Sequence, residues 1–202
     1  VFFASKRAFE RLGWSPVRTA AFGGLATGVL AFGLWLTTRD ARVLAVLGTG
    51  YSALQEATAP EGRATALLLA IILVGKTLTT SLTVASGSAG GLFAPSMVLG
   101  GSLGGLVGLG LAAIDPALAP CPGAFAVVGM AAFSTAAANT PIAMVIMVSE
   151  LTGNYDLLVP AMWVAALAML VGHRVGLMAT QPRSRFHSPA HMGEQVAHLA
   201  GG

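Results

Sequence analysis

Charged residues are scarce: Asp, Glu, Lys and Arg make up 9% of the 202 residues, against roughly 25% in an average soluble domain. No soluble fold keeps its surface wet on so few charges. A lipid-facing surface wants few, because each charge left at the bilayer centre costs about 3 kcal/mol. Cysteine is rarer still. Cys121 stands alone, which excludes a disulfide within the chain and a four-thiolate metal site, and leaves it as a small buried or interfacial residue. HExxH, P-loop and GxSxG motifs are missing, and no serine or cysteine is accompanied by a base in a defined turn. The sequence therefore offers no catalytic residue, no metal site and no cofactor site. The net charge of +3 does not argue for a nucleic-acid partner, since the basic residues flank apolar spans as topology-setting residues do.

What is abundant is apolar sequence, at 55% of the chain. The charges gather in clusters: Lys6, Arg7, Glu10, Arg11 and Arg18 at the start, Arg39, Asp40 and Arg42 next, and Arg174, Arg183 and Arg185 near the end. Between them Thr19–Thr38, Ala64–Gly75, Thr77–Ile114, Pro116–Ser149 and Leu157–His173 carry no charge. About 20 apolar residues cross the hydrocarbon core, so several crossings fit. The chain opens on Val1 with no cleavable signal pattern, and is expected to be part of a longer protein.

Residues 1–12 place Phe2, Phe3, Phe9 and Leu12 among basic residues, which predicts a helix at the membrane interface. A first span is predicted from Thr19 to Thr38, with Gly23, Gly24, Gly28 and Gly33 letting other helices approach and Trp35 in the interfacial belt. The stretch Arg39–Arg63 reads as a connector holding a short, partly immersed helix. Apolar sequence resumes over Ala64–Val84, where Lys76 is expected to snorkel to an interface and Thr77, Thr79, Thr80 and Thr83 to return hydrogen bonds within a bundle. A glycine-rich helix is predicted to run to Ile114, followed by a polar turn over Asp115–Gly123. The next stretch, Ala124–Glu150, is interrupted at Asn139, Thr140 and Pro141. A last span covers Pro160–Ala179.

The segment Ser86–Pro95 holds three glycines and a proline at membrane depth, where freed backbone is tolerated only against protein or a water-filled cavity. Proline suits the first turn of a helix, so Pro95 is expected just inside one. The amides of Leu92 and Phe93 would then lie free at the positive end of the helix dipole, about half a charge, and would favour an anion. A full cationic side chain would hold a small anion too tightly to release; partial charges bind it and let it go. The alternative reading of such a break is a packing kink. Breaks and half-helices of this kind mark transport pathways.

Three stretches, GSAGGLFAPSMVLGGSLGG, FAVVGMAAFSTAAANTPIAMVIMVSELTGNYDLLVPAM and VLGTGYSALQ, resemble segments of the ClC family of chloride channels and proton-coupled chloride antiporters. The resemblance runs from the opening helix to about Arg185. It implies an all-α integral membrane fold, a multi-helix bundle with broken and re-entrant helices that is the second inverted half of a ClC-type protomer. Residues 1–185 would form the transmembrane region and 186–202 a polar tail.

The resemblance further implies a chloride site within Gly91, Leu92, Phe93, Ala94 and Pro95, with the amides of Leu92 and Phe93 as donors and Phe93 lining the pathway. The family's inner-gate tyrosine falls at Met178, and a methionine cannot donate that hydrogen bond. Glu150, the one acid in a long apolar region, falls where a structural role is expected, with nearby backbone amides as partners. His187 and His191 stand four apart but flank Pro189 in the polar tail, and read as solvated.

The implied function is chloride transport, as a channel or a proton-coupled antiporter, in a prokaryotic plasma membrane. The implied partners are the chloride ion, the lipid bilayer, the missing N-terminal half of the same protein, and a second copy in a homodimer. That dimer would meet over the Pro141–Ala168 region and the opening helix. The family's other anion motif and its gating and proton-transfer glutamates are not in this stretch of sequence. The competing reading is an incomplete, non-transporting remnant or structural membrane subunit.

Overall fold

The computed structural model describes residues 14–58, 65–88 and 90–172, with Ser5 and Phe9. Every regular element among them is helical. In chain order they are α1 (Pro16–Thr38), a 3-10 turn (Ala41–Val46), α2 (Tyr51–Thr58), α3 (Ala66–Ala85), α4 (Phe93–Ile114), α5 (Pro122–Ala138), α6 (Pro141–Thr152), a second 3-10 turn (Tyr155–Leu157) and α7 (Leu158–Gly172). Four stretches are long and apolar enough to cross a membrane: α1, α3, α4 and Tyr155–Gly172. The 17 residues of α5 stand at the lower limit for a crossing, and the 12 of α6 fall short of one.

Local chemistry sets these boundaries. Prolines whose missing N–H costs nothing at a first turn open α1, α5 and α6. Left-handed residues close the same three helices: Arg39 at φ 56°, Asn139 at φ 55° and Gly153 at φ 63°. Thr65 caps α3, its side-chain oxygen accepting from the Leu68 amide at 3.4 Å.

The packing inverts that of a soluble bundle. Helix α1 buries Gly23, Thr27 and Ala31, one turn apart, and exposes Val17, Leu25, Val29 and Phe32. Small residues inside and large apolar ones outside suit a helix bathed in lipid, where close backbone approach drives association. The tightest seam joins α4 to α5. A Cβ at Gly104 would collide with the Phe125 carbonyl oxygen, and one at Gly108 would lie 2.8 Å from that of Pro122.

Between Arg39 and Arg63 the expected short helix is present as α2. That stretch is also more deeply built in than a connector: Val43, Val46, Ala53 and Leu54 are buried in one core with Ile72, Met97 and Met130. The turn before α5 ends at Cys121, two residues before the expected Gly123, and Cys121, expected to be buried or interfacial, is exposed. The last described helix begins at Leu158. The opening helix apart from Ser5 and Phe9, the end of the last span and the tail from 186 lie outside the described residues.

Candidate functional site

Helix α3 ends in a run of hydroxyls. Ser86 donates its N–H to the Leu82 carbonyl at 3.1 Å and its Oγ to the Thr83 carbonyl at 2.8 Å, and the next amide, on Gly87 at φ 81°, closes on the Val84 carbonyl. The chain then passes Gly90 and Gly91 and enters α4 at Phe93. Leu92 takes the capping position without any side-chain cap. Its carbonyl accepts the Ser96 amide at 3.1 Å, so the amides of Phe93 and Ala94 have no acceptor inside the helix. Pro95, as expected, sits within the first turn and brings no N–H at all.

This end of α4 opens on a cleft of about 290 Å³. From the motif, Gly90, Gly91, Ala94 and Pro95 line it; Thr27, Gly48, Lys76, Thr79, Thr80 and Thr83 stand among the opposing residues. Helix α1 comes close here because Gly23 has no side chain: a Cβ would collide with Ser86. Thr27 donates to the Gly23 carbonyl at 2.8 Å and pairs with the Thr83 hydroxyl at 3.3 Å. A helix N-terminus with free amides, facing hydroxyls across a small cleft, can hold an anion by partial charges alone. The Phe93 ring was expected on the pathway; it is half-buried, packs against the apolar core and does not line this cleft.

Lys76 does not snorkel. Only 2% exposed, it donates from Nζ to the Gly48 carbonyl at 2.6 Å and the Val46 carbonyl at 3.2 Å. Its acceptors lie 28 and 30 residues upstream, beyond the reach of local sequence patterns. Glu150 is exposed and accepts a hydrogen bond from the Tyr155 phenol at 3.0 Å, in place of the backbone amides expected. The two groups meet because the Gly153 turn folds the chain back over the end of α6. Met178, His187 and His191 lie outside the described residues.

A second break, at Asn139 and Thr140, separates α5 from α6. The Asn139 amide closes on the Thr135 carbonyl at 2.8 Å and the Met144 amide on that of Thr140 at 3.1 Å. Buried Ser134 Oγ, Thr135 Oγ1, Asn139 Oδ1 and Thr140 Oγ1 make no hydrogen bond. Past this break α6 and α7 form an apolar groove of about 840 Å³, lined by residues such as Ile142, Val145, Ile146, Met162, Ala165 and Met169.

Residues 1–173 match the family model for the voltage gated chloride channel. Among curated relatives, a ClcB-like chloride channel protein of Ralstonia nicotianae is 32% identical over 181 residues, covering 89% of this chain and 39% of the relative. An H(+)/Cl(-) exchange transporter ClcA of Citrobacter koseri is 32% identical over 168 residues, covering 83% and 34%. Another, from Salmonella paratyphi A, is 34% identical over 132 residues, covering 65% and 28%. The chain thus spans less than half the length of these relatives. The all-helical architecture, its four membrane-capable stretches and the match over residues 1–173 agree on one assignment: the chain is an integral membrane protein and belongs to the voltage gated chloride channel family.

Proposed function

We propose that this chain builds half of a chloride pathway, as the second half of a ClC-type protomer, with the anion held at the N-terminal end of α4. The observation that carries the reading is the uncapped start of α4 opening on the cleft beside Gly90, Gly91, Ala94 and Pro95. The amides of Leu92, Phe93 and Ala94 are the donors. The relatives' names, a chloride channel protein and H(+)/Cl(-) exchange transporters, supply the ion. Residues 1–185 form the membrane part and 186–202 a tail, in the plasma membrane of a prokaryote. Two copies associate through the apolar groove of α6 and α7, whose exposed Ile142, Ile146 and Met162 suit burial against a second copy.

Chloride efflux from liposomes holding the full-length protein tests the site. Phe93→Pro removes one amide donor and disfavours the helical conformation of Leu92 before it. Efflux that falls while the dimer stays intact supports the reading. Unchanged efflux sinks it and favours a packing kink.

A further inference from the structure

We propose that Lys76 positions the anion cleft and gives it a positive charge that no carboxylate among the described residues cancels. This rests on the reading of the α4 start as the anion site and assigns a residue that regulates how tightly that site fills.

Lysine at this depth is normally paired with an acid, because burying an ammonium without compensation costs several kcal/mol. Of the acids upstream in sequence, Glu61 lies outside the described residues, Glu56 stands 3.6 Å from the Arg42 guanidinium, and Asp40 holds the same group at 2.7 Å. Glu150 accepts from Tyr155. Among the described residues no carboxylate comes within ion-pairing distance of Lys76, and the ion pairs are those of Arg42.

Its partners are instead two main-chain carbonyls, Val46 and Gly48, where the 3-10 turn ends. Thr79 donates to the Val46 carbonyl as well, at 3.1 Å. Three hydrogen bonds thus staple the middle of α3 to the connector, and the stapled residues form one wall of the cleft whose other wall carries Gly90, Gly91, Ala94 and Pro95. Carbonyl dipoles solvate the ammonium without removing its unit charge. A net positive charge beside a cleft with low-dielectric walls raises the local concentration of anions. The amides still make the contact and set the release, so the lysine acts through the field and the wall rather than as a ligand.

The test uses full-length protein in liposomes. Lys76→Gln leaves a neutral donor for the carbonyls and removes the charge; Lys76→Arg keeps the charge. Lys76→Gln is expected to raise the chloride half-saturation concentration roughly tenfold, the scale of one charge about 10 Å away acting at an effective permittivity of about 20. Lys76→Arg should stay close to the parent. The gap should narrow when impermeant salt shortens the screening length. A lysine that only staples the wall would change the melting temperature and leave half-saturation unmoved; that outcome overturns the proposal, as does equal impairment by Gln and Arg. If Lys76→Gln does not fold, Thr49→Glu, on the exposed part of the cleft lining, opposes the same charge. It should raise half-saturation, and no change there overturns the proposal. Phe93→Pro run alongside separates the two readings. If it lowers efflux while Lys76 variants behave as the parent, this inference alone fails; if it leaves efflux intact, the site and this inference fall together.

Discussion

The two helix breaks differ in what they leave unpaired. At the first break the side-chain hydroxyls are satisfied, Ser86 on Thr83 and Thr27 with Thr83, and the free groups are backbone amides at the head of α4 beside a cleft whose lining includes threonines and Lys76. At Asn139–Thr140 the backbone closes neatly and the unpaired groups are buried side-chain oxygens. The head of α6 is also uncapped, yet Pro141 and Ile142 open on an apolar groove. Both stretches look alike as interruptions by glycine, asparagine or proline. Of the two breaks, only the first sets free amides against a cleft lined by hydroxyls.

That contrast can be broken in several places. The largest effect is expected from Phe93→Pro: a hydrogen bond to a charged group is worth about 1.5–3 kcal/mol, so chloride efflux should fall roughly tenfold or more. At the other break, Ile142→Asp should leave efflux per protomer near the parent level. It should weaken dimerisation, because burial in an apolar interface desolvates the carboxylate with no partner, read as a shift from two-step to one-step photobleaching of labelled protein in membranes. An intact dimer would remove the groove from the interface. Asn139→Ala places an ordinary side chain at φ 55° and should cost about 1–2 kcal/mol in thermal unfolding in detergent, while Asn139→Gly should cost nothing.

Thr135→Val replaces a buried hydroxyl that makes no bond with an apolar isostere, and should be neutral or stabilising by up to about 1 kcal/mol; a clear loss would mean that the hydroxyl has a partner in the assembled protein. The smallest effect belongs to the exposed connector. Arg42, by side chain and amide, holds the Asp40 carboxyl below its ordinary value of 3.8. The stabilisation is present above that pH and is lost as pH falls through the lower folded value. Asp40→Asn should flatten this acid limb in a pH series of melting curves and change little at neutral pH.

The sequence made the spans and both breaks legible, because membrane helices announce themselves by length and by the absence of charge, and prolines and glycines mark where the ladder stops. It also placed the GLFAP residues at the start of α4. Side-chain destinations were less readable. Lys76 looked like a snorkelling lysine because its two carbonyl acceptors belong to a turn that local periodicity does not bring near. Glu150 paired with a phenol five residues on, across a left-handed turn whose geometry decides the meeting. Phe93 packs its ring against the core, while Ala94 and Pro95 line the cleft. Thr27 was missed as a lining residue; the glycine spacing of α1 was the available signal, since the face that approaches α3 at Gly23 carries Thr27 one turn later.

The glycine contacts between α4 and α5 have a mechanical meaning. Where backbone rests on backbone, no side chain can change rotamer to absorb a displacement, so the pair behaves as a joint without play. Gly100 meets Gly129 and Gly108 meets Pro122, so the two helices run antiparallel; the start of α4 and the end of α5 at Asn139 then lie at the same end of one rigid block, and a tilt of either helix carries the other with it.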